Sequence, residues 1–440
     1  MASYIEYIEI FLFLKGVFNV EGLFIKGSQR LDGKISVHGS KNSSLPIIAA
    51  SLLAQGECVI HNCPLLSDVK AACDILSYLG CRVSREGDTL IIDSSVVENC
   101  DIPVSLMREM RSSIVFLASI LSRMRRAEIC TPGGCEIGLR PIDLHISSLR
   151  SLGAEIEETG GNLSCRCEKG FRGCNITLAF PSVGATENII IASSVSEGVT
   201  NIFNAAREPE IYDTIGFLNA CGAKIRVKND GTITVFGVRR LHPCEYSVIP
   251  DRITLSTYMS AVAAAGGDVL LENARAQDIK SVISVFEEMG CRLDIENNSI
   301  RIRQSGRLKS VRTIRTMPYP GFPTDAQAPV MAALSLAEGT SVIIENIFES
   351  RFKHVYGLNR MGADIKTEGR AAFVTGVKKL CGSRVCATDL RGGGALVCAA
   401  LAAQGQSIVT GLHHIDRGYE KIEENLRLIG ADIRRGYCNE

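Results

Sequence analysis

The chain has 440 residues, of which 46% are hydrophobic and 22% are charged. This composition is typical of a globular protein with about two or three domains and excludes a disordered chain. Lys and Arg together number 48, as do Asp and Glu, so no overall charge would attract nucleic acid or an anionic membrane surface. An anionic ligand must therefore be bound by a few placed residues.

The first element in the chain is an apolar stretch within residues 1–20. Glu6, Glu9 and Lys15 interrupt it, and no basic leader precedes it. It is shorter than the roughly 20 apolar residues that a membrane span requires. We therefore expect an extension ahead of the fold rather than a signal peptide or an inserted membrane anchor.

Six units of about 70 residues follow, and such a period indicates a repeated supersecondary structure. One phrase recurs in every unit: YLGCRV, SLGAEI, ACGAKI, EMGCRL, RMGADI and LIGADI. Each phrase closes a helical pattern with a glycine C-cap and begins an alternating strand. A second apolar helix ends upstream, at LLAQG or a similar phrase. One unit therefore predicts the order helix, strand, helix, strand, strand.

The first helix of each unit begins at a comparable helix-start motif. These motifs are GSKNSSLP, REMRSSIV, PSVGATEN, PDRITLST, PTDAQAPV and ATDLRGGG. A helix N-terminus offers unpaired N–H groups and partial positive charge, so these are six candidate anion sites. The loops before the second helices, such as NAAREPEIYD and HHIDRGYE, are rich in Arg, Glu and Asp. Function concentrates in loops of this kind.

Three local predictions concern these helix starts. Pro46 is compatible with the first turn of the helix that carries Lys41. Thr324 and Gln327 predict a capping box, which would make Asp325 merely a first-turn acid. The apolar stripe from Leu106 to Leu121 predicts one helix through Arg111.

The 17 cysteines are scattered, and many lie in apolar runs, as Cys58, Cys73 and Cys398 do. This distribution predicts reduced core thiols in a cytoplasmic protein rather than a disulfide framework. The usual metal-ligand spacings are missing, so we expect no metal site.

Cys135 has a different setting, because it follows Pro132-Gly133-Gly134. Two glycines after a proline predict a mobile loop, and nearby Arg140 with a helix start favours a thiolate. The alternative is a small buried residue, which suits most of the other cysteines.

Nine motifs in register with the repeats resemble those of the enolpyruvyl transferases, and within them of the enzymes that act on UDP-N-acetylglucosamine. They are GSKNSSLP, PGGCEIGLRPIDLH, PSVGATE, AAREPEI, PDRI, FPTDAQ, ESRFKHV, ATDLR and HIDRGYE. The resemblance implies an α/β fold with two domains, the inside-out α/β barrel, and six repeats arranged three plus three. Residues 41–248 would form the first domain, and residues 21–40 with 249–440 the second.

The reaction that the resemblance implies transfers the enolpyruvyl group of phosphoenolpyruvate to the 3-hydroxyl of UDP-N-acetylglucosamine and releases phosphate, a step of peptidoglycan precursor synthesis. It uses no cofactor. Such a reaction needs an acid near C3, a base near the hydroxyl, and cations around phosphate and carboxylate.

The resemblance also assigns the catalytic roles. Cys135 would donate the proton to C3, form a covalent adduct with phosphoenolpyruvate and be alkylated by fosfomycin. Asp325 would take the proton of the sugar hydroxyl. Lys41 would act as a movable charge, and Arg417, with Arg351 and Arg391, would bring positive charge onto phosphoenolpyruvate as the cleft closes.

The expected substrate contacts come from both predicted domains. They are Lys41, Asn42, Arg111, Arg140, Pro141, Ile142, Asp143, Leu144, Phe180, Pro181, Ser182, Val183, Asp325, Ile347, Arg351, Arg391 and Arg417. The ordinary alternatives are solvated surface arginines and a solvated lysine beside a helix cap. Phe180 departs from the family pattern, where many relatives have lysine. Glu208 and Glu210 are expected to tie loops together rather than transfer protons.

Two rival functions remain open on the sequence. A 5-enolpyruvylshikimate-3-phosphate synthase-like transferase would share the fold and donor, but that family lacks a PGGC loop. A catalytically silent protein that binds the nucleotide sugar as a regulator is opposed by the intact Lys41, Cys135, Arg140, Asp325 and Arg417.

Overall fold

Each of the six units contributes one inner and one outer helix to the computed structural model, which describes residues 19–110, 112–130 and 142–439. The inner helices are Lys41–Ser51, Phe116–Met124, Val183–Ser194, Arg252–Ala265, Thr324–Leu334 and Leu390–Ala402. The outer helices are Ser67–Tyr78, Asp143–Ser151, Pro209–Ala220, Lys280–Glu288, Val355–Arg360 and Ile422–Leu428. Short helical turns are Val104–Glu109, Ser113–Val115, Ala276–Ile279 and Leu412–Ile415.

The strands form six small sheets, one for each unit. In the first three units they are Glu57–His61, Arg82–Glu86, Thr89–Asp93 and Glu245–Ser247; Arg126–Cys130, Glu155–Thr159 and Asn162–Arg166; and Asn175–Thr177, Val199–Phe203, Lys224–Val227 and Ile233–Phe236. In the last three they are Leu31–Ser36, Gly267–Glu272, Arg292–Ile295 and Ser299–Gln304; Thr313–Arg315, Thr340–Ile344, Asp364–Glu368 and Ala371–Thr375; and Asn19–Lys26, Arg384–Cys386, Gln406–Thr410 and Asp432–Asn439. Over the described residues each sheet is an open ribbon.

Parallel pairing closes each set of three units into a ring. Glu245–Ser247, at the end of the third unit, pairs with Glu57–His61 of the first. In the same way Leu31–Ser36 pairs with Gly267–Glu272 of the fourth unit. The chain therefore enters the first ring just after Leu31–Ser36 and leaves it just after Glu245–Ser247.

The sixth unit differs from the predicted order, because a single strand, Asp432–Asn439, follows its outer helix. The missing hairpin partner is the N-terminal strand Asn19–Lys26, which pairs antiparallel with it from Asn19–Asn439 to Lys26–Asp432. The first and last strands of the fold thus complete one unit, a long-range pairing that no local pattern signals.

Two separate hydrophobic clusters form the interior. One draws on residues 45–248, and the other on residues 23–37 and 255–433. The inner helices are buried nearly all round, as in Thr324–Leu334, where every residue from Ala326 onward is buried, while the outer helices bury one face. A helix that is apolar on all sides belongs inside, so helices lie at the centre and sheets outside.

The predicted glycine caps are confirmed. The six glycines of the recurring phrase adopt φ angles between 90° and 106°, in the left-handed region that favours glycine. They are Gly80, Gly153, Gly222, Gly290, Gly362 and Gly430.

Three local predictions are wrong. Pro46 lies beyond the first turn of its helix, because the helix begins at Lys41 behind the cap Ser40. Thr324 and Gln327 form no capping box; Pro323 precedes the helix without a side-chain cap, since Thr324 Oγ1 donates instead to Glu345. The helix expected through Arg111 is interrupted, because Met110 is extended.

Among the described helices, none combines the length and apolar character that crossing a bilayer requires. The described cysteines are all free thiols.

Candidate active site

Several predicted site residues lie outside the described residues. These are Arg111, Cys135, Arg140 and Pro141, together with residues 1–18 of the expected extension. Their roles stay predictions, and the site is built below from the other candidates.

One ion cluster joins the two hydrophobic cores and is centred on Asp68, at the start of an outer helix. Lys41 Nζ lies 3.1 Å from Asp68 Oδ2, and Arg417 donates through Nε to Oδ1 at 2.8 Å and through Nη2 to Oδ2 at 3.2 Å. Asp68 is only 2% exposed. The arginine of HHIDRGYE and the lysine of GSKNSSLP, 376 residues apart in the sequence, therefore share one buried carboxylate.

Opposing effects set the charges in this cluster. Burial alone would raise the pKa of Asp68, but Lys41 and Arg417 outweigh burial and lower it. Burial lowers the pKa of Lys41, and Arg391 and Arg417 lower it further against the attraction of Asp68. The positive charge of Lys41 is therefore opposed by burial and by two nearby arginines. A bound anion would reduce this repulsion.

A second ion cluster surrounds Asp325 at the head of an inner helix. Arg351 Nη2 lies 2.6 Å from Asp325 Oδ1, and Arg391 Nε lies 3.3 Å from Oδ2. Both arginines are buried, whereas the Asp325 side chain is 29% exposed. Asp325 also raises the pKa of Lys41, as Asp68 does, so both carboxylates act electrostatically on the same lysine.

Arg391 is the most confined cation of the site. Its guanidinium lies over the ring of Tyr419, 5.4 Å from the ring centroid, and Nη1 and Nη2 are buried without a hydrogen-bond partner in the described structure. Asp389 caps the helix by accepting from the backbone N–H groups of Arg391 and Gly392. Buried donors without partners are costly, so this guanidinium is prepared for an acceptor.

Gly392, Gly393 and Gly394 follow Arg391 because the helix start is crowded. A Cβ on Gly392 would lie 2.6 Å from Asp389 Oδ2, and one on Gly394 would lie 2.5 Å from Tyr419 Oη. A side chain at either position would have to displace the capping carboxylate or the Tyr419 hydroxyl, so glycine suits this close approach.

Acidic side chains of the first core contact the second core at Arg252 and Tyr319. Arg252 Nε donates to Glu210 Oε1 at 2.9 Å, and the backbone N–H of Tyr319 donates to Glu208 Oε1 at 3.3 Å. Burial, with the nearby Glu210 and Glu208, raises the pKa of Glu187. Glu208 and Glu210 therefore connect the two cores through hydrogen bonds.

The predicted nucleotide-sugar contacts lie at two neighbouring helix starts. Asp143 and Leu144 begin one helix, and Ser182 caps the next by accepting from the Ala185 N–H. A Cβ on Gly184 would lie 2.9 Å from His145 Cε1, which shows that the two starts touch. Ile142, Pro181 and Val183 are half-buried beside them, and Phe180 is exposed.

Ile347 is tied to the start of the Asp325 helix through Glu345. The buried carboxylate of Glu345 accepts from the Ile347 N–H at 2.9 Å and from Thr324 Oγ1 at 3.0 Å. Thr316 Oγ1 also donates to it, at 2.9 Å. One buried acid thus positions the residue before Asp325 and the loop that carries Ile347.

Asn42 follows Lys41 in the first turn and is half-buried. Within the described residues, no three His, Cys, Asp or Glu side chains are grouped so as to hold a metal ion.

Sequence reasoning missed Asp68, Glu345, Asp389 and Tyr419. Asp68 stands in HNCPLLSD, one of the six corresponding loops, and Asp389 directly precedes Leu390-Arg391 at a helix start, so both had a positional signal. Tyr419 stands in HHIDRGYE and had the same signal, although nothing there indicated Arg391 as its partner. Glu345 directly follows the strand Thr340–Ile344, where no local pattern indicates a partner.

Comparison with known proteins agrees with this geometry. The family model for EPSP synthase (3-phosphoshikimate 1-carboxyvinyltransferase) matches residues 25–426. The UDP-N-acetylglucosamine 1-carboxyvinyltransferase 2 of Caldanaerobacter subterraneus subsp. tengcongensis is 49% identical over 411 residues, covering 93% of this chain and 98% of that protein. The chain belongs to the UDP-N-acetylglucosamine 1-carboxyvinyltransferase family. The resemblance inferred from nine motifs is thereby confirmed.

Solved structures place this carboxyvinyltransferase family member in the enolpyruvyl transferase fold. The enolpyruvyl transferase NikO from Streptomyces tendae aligns with a TM-score of 0.87 at 23% identity, over 96% of this chain and 100% of that one. EPSP synthase from Acinetobacter baumannii aligns with a TM-score of 0.74 at 20% identity, over 94% and 100%. At these identities the likeness concerns the fold alone, and it confirms the predicted α/β class.

Proposed function

We propose that the chain transfers the enolpyruvyl group of phosphoenolpyruvate to the 3-hydroxyl of UDP-N-acetylglucosamine and releases phosphate. The observation that carries the proposal is Asp325, a part-exposed carboxylate held by Arg351 and Arg391 beside the Lys41–Asp68–Arg417 cluster. This arrangement combines a proton acceptor with cations for a doubly anionic donor.

In the first step, the sugar hydroxyl oxygen adds to C2 of phosphoenolpyruvate. Asp325 takes the hydroxyl proton while C3 gains a proton from Cys135, which gives a tetrahedral ketal that still carries phosphate. In the second step, C3 loses a proton and the C2–O bond to phosphate breaks. The products are the enolpyruvyl ether of the nucleotide sugar and inorganic phosphate.

The cations divide between donor phosphate and donor carboxylate. Lys41, Arg391 and Arg417 are the candidates, supported by the repulsion among them and by the two unpartnered Arg391 nitrogens. Arg351 contributes by orienting Asp325. Arg140 belongs to the same proposal on sequence grounds.

The nucleotide sugar is assigned to the paired helix starts at Asp143 and Ser182, with Ile347 of the second core as a further contact. Ile142, Leu144, Pro181 and Val183 supply further contacts, as do Asn42 and Arg111 toward the reacting end. We assign the reaction to peptidoglycan precursor synthesis in the cytoplasm, because its product is the enolpyruvyl ether of a cell-wall sugar nucleotide.

Phosphate release tests the function directly. Phosphoenolpyruvate would be supplied with UDP-N-acetylglucosamine, with shikimate 3-phosphate, or with no acceptor. We expect release only with the nucleotide sugar and a product heavier by one enolpyruvyl group. Release with shikimate 3-phosphate would favour the rival transferase. Well-folded protein that binds the nucleotide sugar without turnover would favour the silent regulator.

The role of Cys135 has a separate test. We expect Cys135→Ser to lose most activity and Cys135→Asp to keep much of it, since a carboxylic acid can also supply a proton. Cys135→Asp should resist fosfomycin, because it lacks the alkylated thiol, and peptide mapping of the treated wild type should find the adduct on Cys135. Full activity of Cys135→Ser, or an adduct elsewhere with Cys135 untouched, would refute the assignment.

A further inference from the structure

Two cysteines that are not among the predicted catalytic groups have sulfur atoms in direct contact. Cys221 Sγ and Cys244 Sγ lie 3.3 Å apart, although the residues are separated by 23 positions. Cys221 directly follows the outer helix Pro209–Ala220 and is buried, and Cys244 directly precedes the strand Glu245–Ser247 and is half-buried.

The backbone holds both cysteines in place. The His242 N–H donates to the Cys221 carbonyl at 2.9 Å, and the Val59 N–H donates to the Cys244 carbonyl at 3.1 Å. The sulfur contact is therefore fixed by the fold and not by two mobile loops.

Cys58, in the strand beside Cys244, adds a third thiol. Side-chain hydrogen bonds with Cys221 and Cys244 lower its pKa. Isolated core thiols behave in the opposite way: burial raises the pKa of Cys291 to about 12, and that of Cys398 to about 12. Within the cluster, hydrogen bonds with Cys244 and Cys58 raise the pKa of Cys221. Against the hydrogen bond with Cys221, the hydrogen bond with Cys58 and burial raise the pKa of Cys244 to about 12. The thiolate, which is the reactive form, is thus favoured at Cys58, and the sulfur contact itself selects Cys221 and Cys244 as the pair.

We infer that Cys221 and Cys244 are a redox modification site, which a peroxide converts into a disulfide. The inference goes beyond the proposed transferase function and does not involve Cys135. Forming the bond requires the sulfur atoms to approach from 3.3 Å to about 2.05 Å, a shift of the size that side-chain rotation provides.

The chemistry balances with hydrogen peroxide as the two-electron oxidant. The sulfur of Cys244, which is the more accessible of the pair, attacks one peroxide oxygen; the O–O bond breaks, a sulfenic acid forms and water leaves. The Cys221 sulfur then attacks the Cys244 sulfur, the S–O bond breaks, and a second water carries away the hydroxyl and the thiol proton. Two thiols are oxidised and one peroxide is reduced.

The bond would fasten the segment that leads from the first core to the second. Tyr246 Oη already donates to Asp213 Oδ1 of the same outer helix at 2.7 Å, and the Ile249 N–H donates to Asp213 Oδ2 at 3.2 Å. A disulfide at Cys244 adds a covalent link to these hydrogen bonds and closes a loop in the unfolded chain, so we expect the oxidised protein to unfold at a higher temperature.

Peptide mapping after mild oxidation tests the inference. The intact protein would be treated with limiting hydrogen peroxide, its free thiols blocked with N-ethylmaleimide, and the digest analysed by mass. We expect a linked pair of peptides containing Cys221 and Cys244, lighter by two hydrogen atoms and separated by dithiothreitol. Cys135 lies in a different peptide of the digest, so its oxidation would be detected separately from the Cys221–Cys244 link.

Variants sharpen the assignment. Cys221→Ser and Cys244→Ser should each abolish the linked peptides, whereas Cys58→Ser and the matched buried control Cys291→Ser should keep them. If a variant fails to fold, the peptide map of the wild-type protein still shows whether Cys221 and Cys244 are linked. Maleimide on both Cys221 and Cys244 after oxidation, or a disulfide that contains Cys58, would overturn the inference.

Discussion

Two carboxylates of the candidate site, Asp68 and Asp325, each lie between two cations, yet they differ in exposure. Asp68 is 2% exposed and accepts bonds from Lys41 and Arg417 through both oxygens. Asp325 is 29% exposed while Arg351 and Arg391 hold it. The same pairing therefore produces a buried tie at one position and an accessible carboxylate at the other.

The two carboxylates also differ in where their partners come from. Asp68 belongs to the first core and binds Arg417 of the second, so its bonds depend on how the two cores approach. Asp325 and both of its arginines belong to the second core. Its orientation is therefore set within one core, and preorganised electrostatic catalysis relies on groups that are fixed in this way.

The largest effect is expected from Asp325→Asn. Asparagine cannot take the hydroxyl proton, so kcat should fall by about 10²- to 10⁴-fold, the usual contribution of a general base. Steady-state phosphate release measures the loss. Asp294→Asn is the matched control, because Asp294 is also paired with an arginine, Arg303, but lies on an exposed strand. A loss below about tenfold would remove the base role from Asp325.

Asp68→Asn should act on stability. Lys41 and Arg417 would remain near each other without their shared carboxylate, and breaking a buried pair in this way costs about 3–5 kcal/mol. Urea unfolding measures the change, with Asp74→Asn on the same helix as control. An unaltered midpoint would show that Asp68 does not hold the two cores together.

The repeat architecture could be predicted from the sequence because it depends on local signals. Each outer helix is followed by a glycine with a positive φ angle, and each inner helix is largely apolar. These two local signals are enough to identify the six units from the sequence. The pairing of Asn19–Lys26 with Asp432–Asn439 was not, because it joins the two ends of the chain. The single helix predicted from the apolar stripe Leu106–Leu121 was also wrong, because the backbone is extended at Met110 and the helix ends before it.

For the candidate site, too, residues with a local sequence signal could be predicted and residues that act through distant partners could not. Lys41, Asp325 and Arg417 stood in motifs at helix starts and loops, whereas their partners carried weaker signals. Asp68 and Glu345 matter because folding brings them to a distant cation or hydroxyl, and one sequence contains no record of that distance. Thr324 shows the consequence: local pattern predicted a cap, but Glu345 offered its hydroxyl a buried acceptor.

The third prediction uses pH to separate the charge of Asp68 from its shape. Its pKa is lowered from 3.8 in the folded protein, so its stabilising effect is complete above 3.8 and is lost as pH falls through the folded pKa. The difference in unfolding free energy between wild type and Asp68→Asn should therefore shrink as the pH drops below 3.8. A constant difference across this range would mean that packing, not charge, is responsible.

The smallest effect is expected from Thr324→Val, which removes one of the donors to buried Glu345 beside Asp325. Loss of a hydrogen bond to a charged group costs about 1.5–3 kcal/mol; Oε2 of Glu345 would lose this donor, while Thr316 and the Ile347 N–H still hold Oε1. We expect a modest loss of stability and a rise in KM for the nucleotide sugar with kcat nearly kept, because the Ile347 loop shifts while the Asp325 carboxylate and its arginines remain. Thr340→Val, an exposed threonine at a strand start, should leave both constants unaltered. A fall in kcat comparable to that of Asp325→Asn would instead show that Glu345 holds Asp325 itself in its reactive orientation, and that the two arginines are insufficient.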